Sequence, residues 1–399
     1  MDYSNSIDKT QVFYLSQILA DKITDNRESL ISLLVTFESY SYAVDEIKRS
    51  VDTLLNIEKE IKYYNFKTDM ICSFLPINQP LYGLIIFGII PSFFATTTKI
   101  RPSADSYNIV VEISNMLDLN SIFDSVEILN ISRKKYCFDY LTKANITIFV
   151  GKYENAIVAQ SYTKPESLFI FSGAGANPFV VTENSDLDKC VDKAIEARIY
   201  NSGQDCAAPN AFFVNKKCKK EFINILTGKL KKIKIGNYSD NSVMIGSLIR
   251  KESFKNAIEK IVVNDKKIIY GGSVDIARRI IYPTVIDVKI SDKFLFEELY
   301  APVFTVSQYE REIDLKQYFF DERYSKQAMY VSVFGLFEHP EYLNNSIILS
   351  EKNVVDFEQG NMCFGGFGTQ ANYLSTRNGF ISRPILISKE ISEFLGGKK

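Results

Sequence analysis

A cysteine near the middle of the chain stands where a thiol could react. Cys206 follows a helix-like run over 187–199 and the segment Asn-Ser-Gly-Gln-Asp at 201–205, and an apolar run begins at Ala211. A thiol at such an element boundary, preceded by a glycine, can face a cleft instead of packing in the core. It could attack a carbonyl carbon and carry the acyl group as a thioester. A free cysteine is more often an inert small hydrophobe, so Cys206 alone does not establish catalysis.

Short motifs surround this cysteine in a defined order. Ser-Gly-Ala-Gly-Ala-Asn-Pro occupies 172–178, and Gly-Gly at 271–272, Tyr-Pro-Thr at 282–284, Glu-Glu-Leu-Tyr-Ala-Pro-Val at 297–303 and Phe-Gly-Gly at 364–366 follow. Their order and spacing resemble the aldehyde dehydrogenase superfamily from about residue 83 to 389, most strongly over 172–303. The resemblance implies an α/β fold of the aldehyde dehydrogenase type, with a Rossmann-type dinucleotide-binding domain and an α/β catalytic domain.

The resemblance also implies where the domains lie and which residues act. We expect a helical N-terminus and nucleotide-binding domain over 1–172, a catalytic domain over 173–370, and a C-terminal segment over 371–399 that is a candidate for oligomerisation. The catalytic residues implied are Cys206, as the nucleophile, and Asn177. The cofactor-binding residues implied are Arg101, Ser103, Gly151, Lys152, Gly173, Glu298 and Tyr300.

Two segments suggest how a dinucleotide would bind. Gly151 ends the apolar run 146–150 at a helix start, where backbone N–H groups can meet a pyrophosphate. The family places Gly-Ser-Thr-x-x-Gly there, whereas this chain has Lys152 and Ala156 at the second and last positions. Arg101-Pro-Ser-Ala104 resembles the family's Lys-Pro-Ser-Glu. Because the carboxylate is absent and an arginine is present, we expect NADP(H) to bind at least as tightly as NAD(H).

One departure from the family bears on how an acyl group would leave the enzyme. Hydrolytic members carry a glutamate that activates water, and Ser172 stands at that position here. The Gly-Ala-Gly-x-Asn-Pro pattern resembles the acylating, coenzyme A-dependent branch, which lacks the same carboxylate. The sequence therefore favours an NAD(P)-dependent oxidoreductase that interconverts an aldehyde and an acyl thioester, bound to coenzyme A or a carrier protein, through Cys206.

A second departure concerns the oxyanion. The segment between Gly83 and Arg101 is too short to hold both the family's Pro-Trp-Asn-Phe-Pro motif and the helix that follows it, and the chain has no tryptophan. We expect the oxyanion donor to be missing or replaced by the backbone N–H of Cys206 with a hydroxyl of Ser92 or Thr96.

Two alternatives to the thioester chemistry stay open. The first is hydrolytic oxidation of an aldehyde to a carboxylic acid, with a relocated base such as Glu297 or Glu154. The second is a catalytically degenerate relative that serves as an interaction subunit.

Composition excludes several classes of partner. The formal net charge of the 399 residues is -1, and 46% of them are hydrophobic, so we expect neither nucleic acid nor an anionic membrane as a partner. No secretory signal is recognised, and the apolar run from Leu81 to Ala95 is too short to span a bilayer. Six cysteines without a CxxC pattern and a single histidine, His339, argue against disulfides and a metal site. We expect a cytoplasmic homodimer.

The elements that must position these residues follow from periodicity. Apolar residues at three- and four-residue spacing predict helices over 8–64, with a break at Asp25-Asn26. Strands are predicted at 84–87, 98–101, 125–129, 146–150, 167–171 and 179–181, with the run from Leu81 to Ala95 as a buried parallel strand. Helices are predicted at 106–117 and 133–143. This alternation predicts a mostly parallel sheet.

Overall fold

Two seven-stranded β-sheets form the framework of the chain, in a computed structural model that describes residues 6–343 and 345–397. The strands are β1 (Thr68–Phe74), β2 (Ala95–Arg101), β3 (Val126–Ile128), β4 (Ile146–Val150), β5 (Leu168–Ser172), β6 (Phe179–Val181), β7 (Phe212–Asn215), β8 (Ile268–Tyr270), β9 (Val274–Asp275), β10 (Ile280–Ile281), β11 (Thr284–Val288), β12 (Val303–Tyr309), β13 (Tyr330–Phe334), β14 (Ile347–Ser350), β15 (Asn372–Thr376) and β16 (Gly379–Ile381).

Helices separate many of these strands. They are α1 (Lys9–Asp25), α2 (Arg27–Leu34), α3 (Tyr40–Leu55), α4 (Pro80–Leu84), α5 (Ile90–Ser92), α6 (Tyr107–Met116), α7 (Leu119–Ile122), α8 (Arg133–Tyr136), α9 (Tyr153–Gln160), α10 (Leu187–Ile199), α11 (Lys219–Leu230), α12 (Lys251–Val263), α13 (Lys316–Phe319), α14 (Glu322–Gln327), α15 (Val354–Phe357) and α16 (Ile387–Gly396). The predicted α/β class is confirmed.

The first sheet has the order β16-β15-β5-β4-β1-β2-β3. Its five strands from the first half of the chain are parallel, whereas β15 runs antiparallel to β5. The C-terminal segment therefore completes the sheet that residues 68–172 begin.

The N-terminal helices confirm the predicted helical region and its break. Asp8 caps α1 by accepting from the N–H groups of Thr10 and Gln11, and Ser39 caps α3. Helix α1 ends at Asp25, and α2 begins two residues later. Helix α3 packs on α1 and on α4, so these helices cover the region that leads into β2.

The predicted buried strand within the run from Leu81 to Ala95 is wrong. Residues 80–92 form one helix, made of α4, a π-helical turn (Ile85–Ile89) and α5. Every residue of it is buried, because it lies against β1 and β2 on one side and α3, α6 and α16 on others. A helix that is enclosed all round has no polar face, so its sequence cannot be distinguished from a central strand.

The second sheet has the order β14-β13-β6-β7-β12-β11-β8, and only the edge strand β8 is antiparallel. Strands β9 and β10 form a separate hairpin. The carboxyl ends of β1, β4 and β5 in the first sheet meet the loops that precede β7 and β12 in the second. No described helix is both long enough and apolar enough to cross a membrane.

Candidate active site

A cavity of about 240 Å³ lies where these segments meet. The first sheet contributes residues that follow β1, β4 and β5, and the second contributes Gln204, Cys206, Glu298 and Tyr300. The other lining residues are Leu75, Pro76, Ile77, Asn78, Val150, Gly151, Lys152, Tyr153, Glu154, Ser172, Gly173, Ala174, Ile249, Arg250, Ser253, Gln327 and Gln370. The structure thus brings Cys206 together with five of the predicted cofactor-binding residues.

The loop before Cys206 has an unusual backbone. Asn201, Ser202 and Gly203 all have left-handed conformations, with φ values of 45°, 57° and 80°. A Cβ at position 203 would lie 2.5 Å from the carbonyl carbon of Ala301, so only glycine fits there. Ser202 Oγ accepts from the Gly246 N–H at 2.9 Å and lies 2.5 Å from the Tyr238 hydroxyl, and these bonds hold the strained turn.

A buried guanidinium joins the two loops that face the cavity. Arg198 is 1% exposed, and its Nη atoms donate to the carbonyl oxygens of Pro209 (2.9 Å), Gly203 (2.9 Å), Ala301 (2.7 Å) and Leu299. Two of these carbonyls flank Cys206 in sequence, and two lie beside Glu298 and Tyr300. Burial lowers the pKa of Arg198 to about 10, so it stays protonated at neutral pH.

The environment of Cys206 disfavours its thiolate. The side chain is half-buried at the cavity, and burial is the main cause that raises the pKa of the thiol well above its ordinary value. The negative charges of Asp205, Glu358 and Glu298 raise it further. A thiol in such surroundings needs a base or a nearby positive charge before it can attack.

Glu298 and Tyr300 form a bonded pair at the cavity wall. The Glu298 side chain lines the cavity and is exposed to the solvent inside it, but protein atoms enclose the carboxyl group on the other sides. These surroundings raise the pKa of Glu298 to about 7, while a hydrogen bond from Tyr300 and the charges of Arg198 and Lys152 oppose the rise.

Gly151 and Lys152 lie at the end of β4, beside the start of α9. Gly151 has a φ of 151°, and a Cβ there would lie 3.3 Å from the Phe149 ring. Lys152 lines the cavity and forms an exposed ion pair with Glu252 at 2.8 Å. A strand end, a glycine and a helix start give the arrangement expected for a phosphate group.

Comparison with known proteins agrees with the family resemblance found in the sequence. The sequence model of the family described as "Aldehyde dehydrogenase family" matches residues 146–335, which include β4, Cys206 and Glu298. This match assigns residues 146–335 to the aldehyde dehydrogenase superfamily.

Curated relatives from this superfamily align over part of their length. Lactaldehyde dehydrogenase of Methanococcus aeolicus is 30% identical over 169 residues, which are 41% of this chain and 35% of the relative. Aldehyde dehydrogenase 1 of Entamoeba histolytica is 28% identical over 235 residues, which are 57% of this chain and 42% of the relative. The chain therefore spans less than half the length of these relatives.

Solved structures share the fold over nearly the whole chain. Glyceraldehyde-3-phosphate dehydrogenase GapN from Methanocaldococcus jannaschii, complexed with NADP, superposes with a TM-score of 0.80 at 19% identity, covering 94% of this chain and 90% of that one. Lactaldehyde dehydrogenase from Escherichia coli gives 0.80 at 15% identity, covering 97% and 85%.

Asn78 is the residue that the sequence analysis missed. Strand β1 ends at Phe74, and Pro76-Ile-Asn78-Gln-Pro80 follows it directly into α4, keeping three residues of the superfamily's Pro-Trp-Asn-Phe-Pro. Asn78 lines the cavity with Cys206, and its Nδ2 donates to Gln204 O at 3.1 Å. The expectation of a missing asparagine is therefore wrong. The Pro-x-Asn-x-Pro pattern was the available signal, hidden because the helix after it was interpreted as a strand.

The substitute hydroxyls proposed from the sequence do not reach the cavity. Ser92 is buried inside the helix and its Oγ donates to Ile89 O at 2.6 Å. Thr96 is exposed at the start of β2, the opposite end of the sheet from the cavity.

Asn177 holds the backbone of Cys206. It is 3% exposed, and its Nδ2 donates to Cys206 O at 3.0 Å and to Gly175 O at 2.9 Å. Its Oδ1 accepts from the Tyr330 N–H at 3.3 Å. Since the whole amide is engaged with backbone groups, the geometry supports positioning of Cys206 rather than contact with a substrate.

Arg101 and Ser103 lie along the same sheet edge, outside the cavity lining. Arg101 Nε donates to Ile131 O at 3.1 Å, and its guanidinium lies 6.0 Å from the centre of the Phe74 ring. Ser103 Oγ lies 2.8 Å from Ser106 Oγ. Arg101 is the last residue of β2, the neighbour of β1, and Ser103 follows two residues later, so both flank the cavity on the side of the first sheet.

The carboxylates considered as relocated bases have different places. Glu297 forms an ion pair with Lys260 and does not line the cavity, whereas Glu154 lines it but is exposed. Ser172 lines the cavity at the end of β5. Glu358, whose charge acts on Cys206, was not considered, because nothing in its sequence neighbourhood marks it.

Proposed function

We propose that this chain is an NAD(P)-dependent oxidoreductase that interconverts an aldehyde and an acyl thioester through Cys206. The single observation that carries the proposal is one cavity lined by Cys206, Asn78, Glu298 and the glycine at the end of β4. A nucleophile, an amide donor and a phosphate-binding strand end are the parts that such a reaction needs.

The residues present fit a dinucleotide. A Cβ at Gly151 would lie 3.3 Å from the Phe149 ring, and one at Gly173 would lie 2.4 Å from the Phe171 ring, so the backbone at 173 can keep this position in the cavity wall only without a side chain. Gly151 and Lys152 would hold the phosphates, and Glu298 with Tyr300 would hold the nicotinamide and its ribose. Bound there, the nicotinamide would supply the redox chemistry. Arg101, with Ser103 beside it and no carboxylate at Ala104, favours NADP(H).

Cys206 would form the covalent bond to the substrate. Its sulfur attacks the aldehyde carbon, an S–C bond forms, and the C=O π electrons move to oxygen. The second N–H of Asn78 and the backbone N–H of Cys206 would stabilise that oxyanion. Oxidation of the resulting thiohemiacetal leaves an acyl thioester on Cys206.

The acyl group would leave to a thiol. Ser172 stands at the cavity where hydrolytic relatives carry the water-activating glutamate, and an unassisted hydroxyl cannot serve as that base near neutral pH. Coenzyme A or a carrier-bound pantetheine thiol would accept the acyl group. Hydrolysis is the second candidate, because Glu298 and Glu358, both with a pKa near 7, lie close enough to Cys206 to affect its charge.

Intact-mass spectrometry tests the proposal. The protein, mixed with an aldehyde and an oxidised nucleotide, should accumulate an acyl adduct that Cys206→Ser lacks and that coenzyme A discharges. Rapid turnover to free acid without a thiol would support hydrolysis instead. No adduct and no binding of either nucleotide would support a non-catalytic interaction subunit.

Nucleotide preference is tested by calorimetry. NADP(H) should bind at least as tightly as NAD(H), and Arg101→Ala should weaken NADP(H) selectively. A tenfold preference of the unmodified protein for NAD(H), about 1.4 kcal/mol, would show that Arg101 does not receive a phosphate. A homodimeric assembly and a cytoplasmic location stay predictions.

A further inference from the structure

We propose that Arg250 and Lys152 bind the pyrophosphate of the dinucleotide from two walls of the cavity, and that the pyrophosphate displaces Glu252 from Lys152. The inference rests on the proposed function, which gave the phosphates to Gly151 and Lys152. It adds a cation from the other side of the cavity and an acidic side chain that competes with the ligand. Neither Arg250 nor Glu252 belongs to a motif of the sequence.

Arg250 lies on the wall of the cavity that the second half of the chain forms. It directly precedes α12, and with Ile249 and Ser253 it lines the same cavity as Cys206 and Gly151. The residue is half-buried. Within the part of the chain that the structure describes, its guanidinium has neither an ion pair nor a hydrogen bond. Since a guanidinium has five N–H donors and no acceptor, an anion is the partner that this side chain lacks.

The other arginines of the described chain show that this is unusual. They bind a carboxylate or a carbonyl oxygen, as Arg279 does when it donates to Ile249 O at 3.0 Å, or they are exposed. Arg133 and Arg377 have no such bond, and both are exposed to solvent. Arg250 therefore combines partial burial in a cavity with a free set of donors.

Lys152 approaches the same cavity from the first sheet. Its Nζ binds Glu252 Oε1 at 2.8 Å, and Glu252 lies in the first turn of α12, two residues after Arg250. This exposed ion pair joins the end of β4 to the start of α12, across 100 residues of sequence. The bond to Lys152 lowers the pKa of Glu252, and the charge of Arg250 contributes to the same effect. Glu252 is thus an anion on which both cations act.

A phosphate group would compete with Glu252 for these cations. Lys152 by itself would be a weak phosphate site, because Glu252 neutralises it and Glu154 adds another negative charge to this wall of the cavity. A pyrophosphate carries two negative charges, so a second cation is needed. Arg250 supplies it, with a planar set of donors that matches phosphate oxygens. Binding would then exchange one exposed ion pair for contacts on both walls and release Glu252 to solvent.

Calorimetric titration with NADP(H) tests this arrangement. Arg250→Gln should weaken binding about tenfold, since a charge-assisted bond to phosphate is lost, and Arg250→Lys should recover part of the affinity. Glu252→Gln should tighten binding by up to about fivefold at low salt, because Lys152 loses its competing partner. This gain should disappear at about 1 M salt, which screens exposed charges. Inorganic pyrophosphate should compete with NADP(H), and less effectively in Arg250→Gln.

Two controls separate this competition from general effects of charge and folding. Glu259→Gln removes a similarly exposed carboxylate from the same helix, where it pairs with Lys255 at 3.6 Å, and should leave the affinity unchanged. In a Lys152→Met background, Glu252→Gln should lose most of its effect, because no lysine is left to be released. Arg250→Gln should keep the Tm of the unmodified protein, since its guanidinium has no partner within the described chain.

The outcomes distinguish this inference from its basis. If the unmodified protein bound no nucleotide, the proposed function would be overturned together with the inference. If it bound NADP(H), but Arg250→Gln lost no affinity or Glu252→Gln gained none, only the inference would be overturned. A loss of affinity for coenzyme A in Arg250→Gln, with NADP(H) binding unchanged, would assign Arg250 to the acyl acceptor and would also overturn it.

Discussion

At the scale of single residues, the candidate site depends on a few side chains that act on Cys206 from different directions. Asn78 approaches it from the first sheet, and Asn177 and Glu358 act from the second. The three carboxylates near the thiol stabilise its protonated form, so the free enzyme should hold Cys206 in a poorly reactive state. Reaction then requires that a proton acceptor and an oxyanion donor be present at the same time.

Asn78→Ala should reduce turnover without affecting folding. Removal of one oxyanion donor costs roughly 100-fold to 1,000-fold in kcat. We expect a fall of this size in kcat for an aldehyde, with nucleotide affinity unchanged. Thr96→Ala, which alters an exposed hydroxyl at the far end of β2, is the matched control and should retain full activity. If Asn78→Ala and the unmodified protein had equal activity, Asn78 would not be an oxyanion donor.

At the scale of elements, two buried groups join segments that the site needs. Arg198 on α10 connects the loop before β7 to the loop before β12. Glu46 on α3 accepts from the N–H groups of Leu81 and Tyr82, both at 2.8 Å, and so caps the helix that follows Asn78. In each case an ionisable side chain satisfies backbone groups that would otherwise be buried without partners.

Arg198→Met should destabilise the protein and loosen the cavity. The carbonyl oxygens of Gly203, Pro209 and Ala301 would lose their donor, and each buried unpaired group costs about 1–3 kcal/mol. We expect the free energy of unfolding, measured in urea, to fall by about 3 kcal/mol. Arg198→Lys should recover part of it. A loss of stability in Arg198→Met with unchanged nucleotide affinity would mean that the guanidinium does not set the position of Glu298.

The buried pair of Glu38 and Glu46 should make stability depend on pH. Burial raises the pKa of Glu46 from 4.5 to about 7 and raises the pKa of Glu38 well above its ordinary value. The negative charges of Glu46 and Asp45 raise the pKa of Glu38 further. Between pH 4.5, the pKa in the unfolded state, and about pH 7, the pKa of Glu46 in the folded state, the folded protein holds a proton that the unfolded chain has lost. Stability is therefore fully present below about pH 4.5 and falls as the pH rises through about 7.

The measurement is the free energy of unfolding in urea from pH 5 to 8. One proton gives a slope of about -1.4 kcal/mol per pH unit. Glu38→Gln, which removes one ionisable group of the pair and keeps its shape, should flatten this dependence. Glu28→Gln on α2, an exposed position, is the control. If the free energy of unfolding of Glu38→Gln changed with pH at the same slope as that of the unmodified protein, the pH dependence would come from other carboxylates.

At the scale of the whole molecule, the cavity exists because two sheets and the C-terminal segment assemble. The N–H of Gly173 donates to Ala371 O at 2.7 Å, so the cavity wall after β5 is held by a residue close to the end of the chain. Tyr373 on β15 is fully buried against Phe171 and Phe169. The C-terminal segment is therefore part of the first sheet, along whose edge we propose that the nucleotide binds.

Removal of residues 371–399 should abolish nucleotide binding and cooperative unfolding. The truncation would expose the edge of β5 and the aromatic cluster around Tyr373, and loss of a buried aromatic side chain alone costs about 3–5 kcal/mol. Calorimetric titration and thermal unfolding measure both effects. Arg377→Ala, in the exposed turn between β15 and β16, should change neither. A truncated chain that still binds nucleotide would limit this segment to a peripheral role, such as oligomerisation.

The sequence by itself determined the superfamily and most of the alternating elements, and it predicted Cys206 as the nucleophile. The sequence analysis found Cys206, Gly203 and Gly151 because each belongs to a short motif. Local backbone constraints, such as a positive φ, require glycine at fixed positions of these motifs. Asn78 also belongs to a recognisable motif, Pro-x-Asn-x-Pro. It was missed because the helix after it was interpreted as a strand, since a helix buried on all sides lacks the alternation of polar and apolar residues that identifies helices. Only the tertiary structure decided the roles of Arg198, Glu46, Glu358 and Ala371. Their partners lie between 5 and 309 residues away in sequence. A hydrogen bond or a raised pKa depends on which groups folding places side by side, and no local sequence pattern records this.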